Sequence, residues 1–232
     1  MEVITVMQNG ADSGYISYVY EKIKEKFSFL PAECTLSAQD DYSQVVFCTD
    51  VQFCPYVQAF CKSLVADVIS IGYKYAYFSQ MLRLPLLSEC EKRLLYTALV
   101  AADLKEERSF VQEKIQDGPT CSIDGVFRFR LKELKKRWAE VAGYVKSDFG
   151  QDSLCGFLRY LIEDGVGKIF VKGGNVYDGE YKRLSKSALV GGNSVVAEIL
   201  LSGAAKVYTF GKTDDETEKF LQKYYGEKRI FC

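Results

Sequence analysis

The side chains best able to do chemistry gather in one stretch. From Arg128 to Arg137 the chain places Arg128, Arg130, Lys132, Lys135, Lys136 and Arg137 against a single acid, Glu133. Clustered cations of this kind neutralise phosphates or carboxylates, and Arg can fork onto either. The competing reading is a solvated helix face paired with acids from neighbouring helices. Two further candidates stand apart. Cys54 precedes Pro55 at a predicted helix start, where the positive helix end would lower a thiol pKa. Asp124 lies four residues before Arg128, within reach on a helix. Each has a structural reading as well, a buried thiol and a helix cap. Arg128 and Arg130 alternate with Phe127 and Phe129, so they can equally be structural arginines held by a buried carboxylate such as Asp124.

The chain contains no His. That excludes Ser-His-Asp and Cys-His nucleophile pairs, His-ligated zinc and imidazole acid/base steps within it. An enzyme here would work through Cys, Lys, Tyr or carboxylates. The eight Cys (34, 48, 54, 61, 90, 121, 155 and 232) form no C-x-x-C pair, so neither a zinc ribbon nor a thioredoxin-like motif is present. No cofactor or metal is expected. The turn from Gly10 to Gly14 lacks both the dinucleotide and the P-loop pattern, and reads as an ordinary loop. No apolar run approaches the about 18 residues of a membrane span. The expectation is a cytoplasmic protein with reduced thiols and no membrane association.

The elements that must position these groups follow from periodicity. The 232 residues suffice for a core without disulfides. Charge is uneven: residues 1–120 carry 11 Lys/Arg and 16 Asp/Glu, and residues 121–232 carry 19 and 15. A β-branched run over Glu2–Met7 predicts a strand, and Ile16, Val19, Ile23 and Phe27 predict a helix after it, capped by Asp12 or Ser13. Strands over Cys34–Ala38 and Ser43–Thr49 complete a small β-α-β-β unit.

From Val57 to Ile69 the period is helical. Continuation past Gly72 into the aromatic run Tyr73, Tyr75, Tyr77 and Phe78 is expected, with the glycine marking a kink or a break. Ser88–Glu91 is a capping box for the next helix. The adjacent Glu106 and Glu107 read as solvated, and Gln116–Cys121 reads as a turn.

Phe127, Leu131, Leu134, Trp138, Val141 and Val145 then recur at helical steps, predicting one helix over Ser122–Val145. A short helix over Leu154–Ile162 and a hairpin from Lys168 follow, its strands joined at Gly173-Gly174-Asn175. Gly191-Gly192-Asn193 precedes a helix through Ile199 and Leu200. The chain closes with a strand over Lys206–Phe210, a helix capped by a box at Thr213–Glu216, and a strand over Arg229–Cys232; this order favours a right-handed parallel crossover. The expected class is α+β, with a small α/β unit at 1–50, a helical region at 51–165 and a C-terminal α/β unit at 166–232.

Three segments resemble the YtxC family of sporulation proteins from endospore-forming bacteria. They are IDGVFRFRLKEL at Ile123–Leu134, FLRYLI at Phe157–Ile162, and AEILLSGAAKVY at Ala197–Tyr208 running into the final RIFC. In this likeness Asp124, Gly125, Phe127, Arg128, Phe129, Arg130 and Leu131 form a structural signature. Val126 stands where the family carries an aromatic, Ala205 where it tends to proline, and a His frequent in the following strand is absent. The resemblance implies a sporulation-associated intracellular protein and no particular reaction.

Three functions are thereby open. The first is a non-catalytic interaction or regulatory protein that binds an acidic protein or a nucleic acid through Lys132, Lys135, Lys136 and Arg137. The second is a His-free enzyme with a Cys, Lys or carboxylate centre, and the third is a structural subunit of an oligomer.

Overall fold

The computed structural model describes residues 1–10, 14–192 and 194–232. In chain order the elements are β1 (Glu2–Asn9), α1 (Gly14–Lys26), β2 (Glu33–Ala38), β3 (Tyr42–Thr49), α2 (Cys54–Asp67), a π-helical segment Val68–Tyr73, α3 (Lys74–Met81), α4 (Glu89–Ala101), α5 (Leu104–Lys114), β4 (Thr120–Ser122), α6 (Ile123–Arg130) and α7 (Lys132–Tyr144). Then come α8 (Gln151–Glu163), β5 (Lys168–Lys172), β6 (Asn175–Tyr177), α9 (Val195–Ser202), β7 (Lys206–Phe210), α10 (Asp215–Tyr224) and β8 (Arg229–Phe231). This is the α+β arrangement expected, with strands at both ends and helices between. The Asp12 or Ser13 cap, the interior of the Gly10-to-Gly14 turn and Asn193 lie outside the described residues. Among the described residues no helix is long and apolar enough to cross a membrane.

The chain divides into two compact units, each made from two chain segments: residues 1–73 with 105–138, and residues 74–104 with 139–232. The helices of 51–165 are shared between them.

The first unit is built on a sheet of order β2-β3-β1-β4. β1 and β3 pair antiparallel from Glu2↔Thr49 to Asn9↔Tyr42. Their alternation buries Ile4 and Val6 beside Val45 and Phe47, against α1 and α2, which bring Ile16, Val19, Val57 and Leu64. β4 falls where the sequence reads as a turn. It has only three residues and pairs parallel with β1 at Thr5↔Thr120, so its partner lies far along the chain and no local alternation announces it.

The helical path continues across Gly72 as a π-helical segment instead of breaking. A Cβ on Gly72 would fall 2.5 Å from the Tyr15 ring, whose hydroxyl donates to the Gly72 carbonyl at 3.1 Å. Glycine is required there by close approach.

The single helix expected over Ser122–Val145 is two. Leu131 leaves helical geometry at φ −116°, ψ 37°, and the Lys135 N–H donating to the Leu131 carbonyl opens α7. Leu131, Leu134 and Trp138 are wholly buried. The break orients α6 and α7 independently, so each buries its own apolar side. Glu107, expected to be solvated, is buried and accepts from the Trp138 indole N–H at 3.0 Å. Glu106 is exposed.

The second unit packs α3, α4, α8, α9 and α10 with a separate sheet of order β6-β5-β7-β8. Gly173 and Gly174 take φ +55° and +75° in the β5–β6 turn, the left-handed pair a two-residue hairpin requires. β5–β7 and β7–β8 are parallel, with α9 and α10 as crossovers. Ile169, Val171, Val176 and Val207 face a core shared with Ile199, Leu200 and Leu221. The capping box at Ser88 and Glu91 is complete. The cap of α10 is Asp214, which accepts from the Thr217 N–H, and not Thr213, whose hydroxyl donates to Glu218 instead.

Candidate functional site

The first turns of α7 carry the basic cluster. Leu131, Leu134 and Trp138 point inward at steps of three and four, which turns Lys132, Lys136 and Arg137 out to solvent and leaves Lys135 half-buried at the side. The Lys135 ammonium lies 4.3 Å from the ring centroid of Phe127. The Arg137 guanidinium stands 5.3 Å from the ring of Phe110 on α5, and Lys114 caps the same ring at 5.2 Å. Such cation–π contacts hold a charge in place without neutralising it.

Among the described residues no carboxylate lies within 4.0 Å of Lys132, Lys135, Lys136 or Arg137. Glu133 and Glu140 sit one turn from Arg137 and Lys136 and make no ion pair with them. Some other cations of the same unit do form ion pairs, Arg108 with Asp67 at 2.5 Å and Lys62 with Asp117, while Lys24, Lys26 and Lys105 form none among the described residues. Lys114 extends the patch, yet its place in the sequence, in a preceding helix, did not associate it with α7.

Asp124 is not a salt-bridge partner of Arg128 or Arg130. Its carboxylate accepts from the Asn9 N–H at 2.8 Å and from the Tyr73 hydroxyl at 3.0 Å, and Tyr73 in turn accepts from the Gln8 amide at 2.9 Å. The helix cap is Ser122, whose hydroxyl accepts from the Gly125 N–H. Asp124 therefore ties α6 to the end of β1 and to the π-helical segment. Burial and the neighbouring Asp124 charge raise the Tyr73 pKa, keeping it a neutral donor.

Phe127 is half-buried, edge-on to Tyr73 at 5.0 Å and tilted against Trp138 at 5.5 Å. Arg128 projects into solvent, as does Phe129 at 78% exposure. Arg130 donates to the Gln116 side chain at 2.6 Å and to the Lys114 carbonyl. The signature segment thus divides. Asp124, Gly125, Phe127 and Leu131 organise the interior, while Arg128, Phe129 and Arg130 look outward.

Cys54 does not meet the demands of a nucleophile. It is 4% exposed, and burial, reinforced by the nearby Glu2 carboxylate, pushes its thiol up to about 11. Desolvation and the Glu2 charge outweigh both the helix end and the Gln58 amide, which donates to the sulfur at 3.2 Å. Cys61 and Cys121 are pushed up by burial to about 12 and about 11.

The thiol whose pKa is lowered from its ordinary value is Cys155, in the second unit. Its sulfur lies 3.5 Å from the Tyr224 hydroxyl; that hydrogen bond and the Lys223 ammonium lower its pKa. It lines a cavity of about 380 Å³ together with Cys90, Glu216 and Phe220. Cys155 and Tyr224 are far apart in sequence, so only the packing of α8 against α10 reveals the pair. Among the described residues no three Cys, Asp or Glu side chains converge as a metal site.

No protein-family model, curated protein or solved structure matches the chain.

Proposed function

We propose that this is a non-catalytic binding protein whose α7 face engages a polyanion, with Lys132, Lys135, Lys136 and Arg137 as the contacting cations and Lys114 at their edge. The observation that carries the reading is the absence of carboxylate partners for these four side chains among the described residues. A solvated charge run is ordinarily interleaved with acids. Here Lys135 and Arg137 are held by the rings of Phe127 and Phe110, and Lys132 and Lys136 stand exposed, all four available for phosphate or carboxylate oxygens.

Nucleic acid is the partner the chemistry addresses most directly, since closely spaced cations on one helix displace condensed counterions. An acidic protein surface is the other partner such a face would fit. The catalytic reading has less support, because Cys54 is buried and held protonated while Asp124 is consumed in structural hydrogen bonds.

An association with sporulation belongs to the same proposal and is carried by the resemblance of the 123–134, 157–162 and 197–232 segments to the YtxC family. It predicts accumulation of the protein as spores form. The binding reading is tested by oligonucleotide affinity at low salt for the wild type and for a variant with Lys132, Lys135, Lys136 and Arg137 changed to Glu. Loss of binding in the variant is expected. Equal affinity in both would remove α7 from the account.

A further inference from the structure

The sheet of the second unit presents two unlike faces. Strand pairing sets Lys168 beside Lys206, Phe170 beside Tyr208 and Tyr177, and Lys172 beside Phe210. Paired residues point the same way, so these side chains share one face. The opposite face is the one that Ile169, Val171 and Val207 turn toward α9 and α10. The aromatic face receives the loop side chain of Tyr181, and Arg183 pairs with Tyr177 at its edge. Its ring stacks on Phe170 with centroids 4.3 Å apart and planes 11° apart. Phe170 also contacts Tyr208 at 5.4 Å and Phe210 at 6.3 Å.

Tyr181 is held there deliberately. It takes φ +61°, and among the described residues it is the one non-glycine with positive φ. For a bulky side chain that backbone is disfavoured. The turn is enforced by Asp178, whose carboxylate accepts from the N–H groups of Glu180 and Lys182 and whose carbonyl accepts from the Tyr181 N–H. Even so, Tyr181 remains 66% exposed. A strained backbone that presents an aromatic ring to solvent is the pattern expected of a ligand clamp. Phe170, Lys172, Tyr177, Tyr181 and Phe210 enclose an open cavity of about 370 Å³.

Lys168, Lys172 and Lys206 flank the rings and are exposed. No paired position on this face holds an acid, and the nearby Glu180 is matched with Lys182. Rings flanked by unpaired ammonium groups match the two parts of a single-stranded nucleic acid, flat bases and a phosphate backbone. Every base offers a π-face, so stacking is tolerant of sequence. A duplex hides those faces inside its own stack.

We infer that this aromatic face binds single-stranded nucleic acid, with bases stacked on Tyr181 and Phe210 and phosphates met by Lys168, Lys172 and Lys206. The site is on the second unit and does not rest on the α7 reading.

The test is fluorescence anisotropy of labelled oligo(dT) and oligo(U) with the full chain at low salt, comparing wild type, Tyr181→Ala, Phe210→Ala and Lys168→Gln/Lys172→Gln/Lys206→Gln. Circular dichroism confirms that each variant is folded. Each ring variant should weaken binding by roughly 5-fold or more, the loss alanine substitution causes at a stacked base. The lysine variant should flatten the dependence of log affinity on log salt by about 2, at roughly 0.7 per single-strand phosphate.

A wild type that binds neither oligonucleotide overturns the inference. So do ring variants with unchanged affinity, or ring variants that weaken a matched duplex as much as the single strand. The α7 charge-reversal variant in the same assay separates the two sites. If it alone loses binding, the sheet inference falls and α7 stands; if the ring variants alone lose binding, the reverse holds. Oligo(dT) against oligo(U) separates DNA from RNA as the preferred strand.

Discussion

Lys135 rests its ammonium 4.3 Å above the ring of Phe127, and Phe127 is itself braced by Tyr73 and Trp138. A basic side chain is thereby anchored to the core of its unit while keeping its full charge. That contact joins the packing role of the 122–145 stretch to the binding role proposed for it.

Trp138 is the pivot of that packing, and the only Trp in the chain. Trp138→Phe keeps most of the ring volume and removes the indole donor to Glu107. Leaving the buried carboxylate short of a donor should cost about 1–3 kcal/mol, while Trp138→Ala should cost about 3–5 kcal/mol by opening a cavity. Urea unfolding followed by far-UV circular dichroism checks both values. If Trp138→Phe is as stable as the wild type, the Glu107 hydrogen bond contributes nothing net.

Cys155 should be the first thiol to alkylate near neutral pH, because Tyr224 and Lys223 favour its thiolate. A lowered pKa shifts the midpoint of the rate-against-pH curve below that of free cysteine. Tyr224→Phe removes the hydrogen bond and should move the midpoint back up. Cys54, Cys61 and Cys121 should resist labelling until the chain unfolds. Peptide mapping after brief iodoacetamide treatment reads all of these, and a Cys155 that labels no faster than Cys54 contradicts the assignment.

Glu218 should make the second unit acid-sensitive. Hydrogen bonds from Arg229, at 2.6 and 2.7 Å, and from Thr213 depress its pKa to about 2. A carboxylate with a depressed folded pKa contributes stability fully above its unfolded value of about 4.3, and that contribution is lost as pH falls toward the folded value. Glu218→Gln should therefore be less stable than wild type at pH 7, with the gap closing between about pH 4.3 and about pH 2. Urea midpoints at pH 7, 4 and 2.5 test this; a gap that does not change with pH would place the role of Glu218 elsewhere.

How much of this could be read from the chain depends on the range of each interaction. Local signals carried well: the Ser88–Glu91 box, the Gly173-Gly174 turn, and the inward step of Leu131, Leu134 and Trp138 all appear as the residue pattern dictates. What failed is long-range. β4 exists because Thr5 pairs with Thr120, Asp124 is claimed by Asn9 and Tyr73, and Glu107 is drawn inside by Trp138. The break at Leu131 has no Gly or Pro beside it to mark it. The aromatic face was hidden differently. Phe170, Tyr208 and Phe210 each sit in an ordinary alternating strand, and only the register of β5 with β7 sets them side by side.

The most direct test of the α7 account is the salt dependence of nucleic-acid binding by the wild type and by the neutralised variant Lys132→Gln/Lys135→Gln/Lys136→Gln/Arg137→Gln. Each phosphate neutralised contributes a slope of roughly 0.9 on duplex DNA. The variant should therefore bind more weakly at low salt, with its slope of log affinity against log salt shallower by about 3.6. A wild type that does not bind at low salt, or a variant with the same slope and affinity, would contradict a nucleic-acid role for this helix.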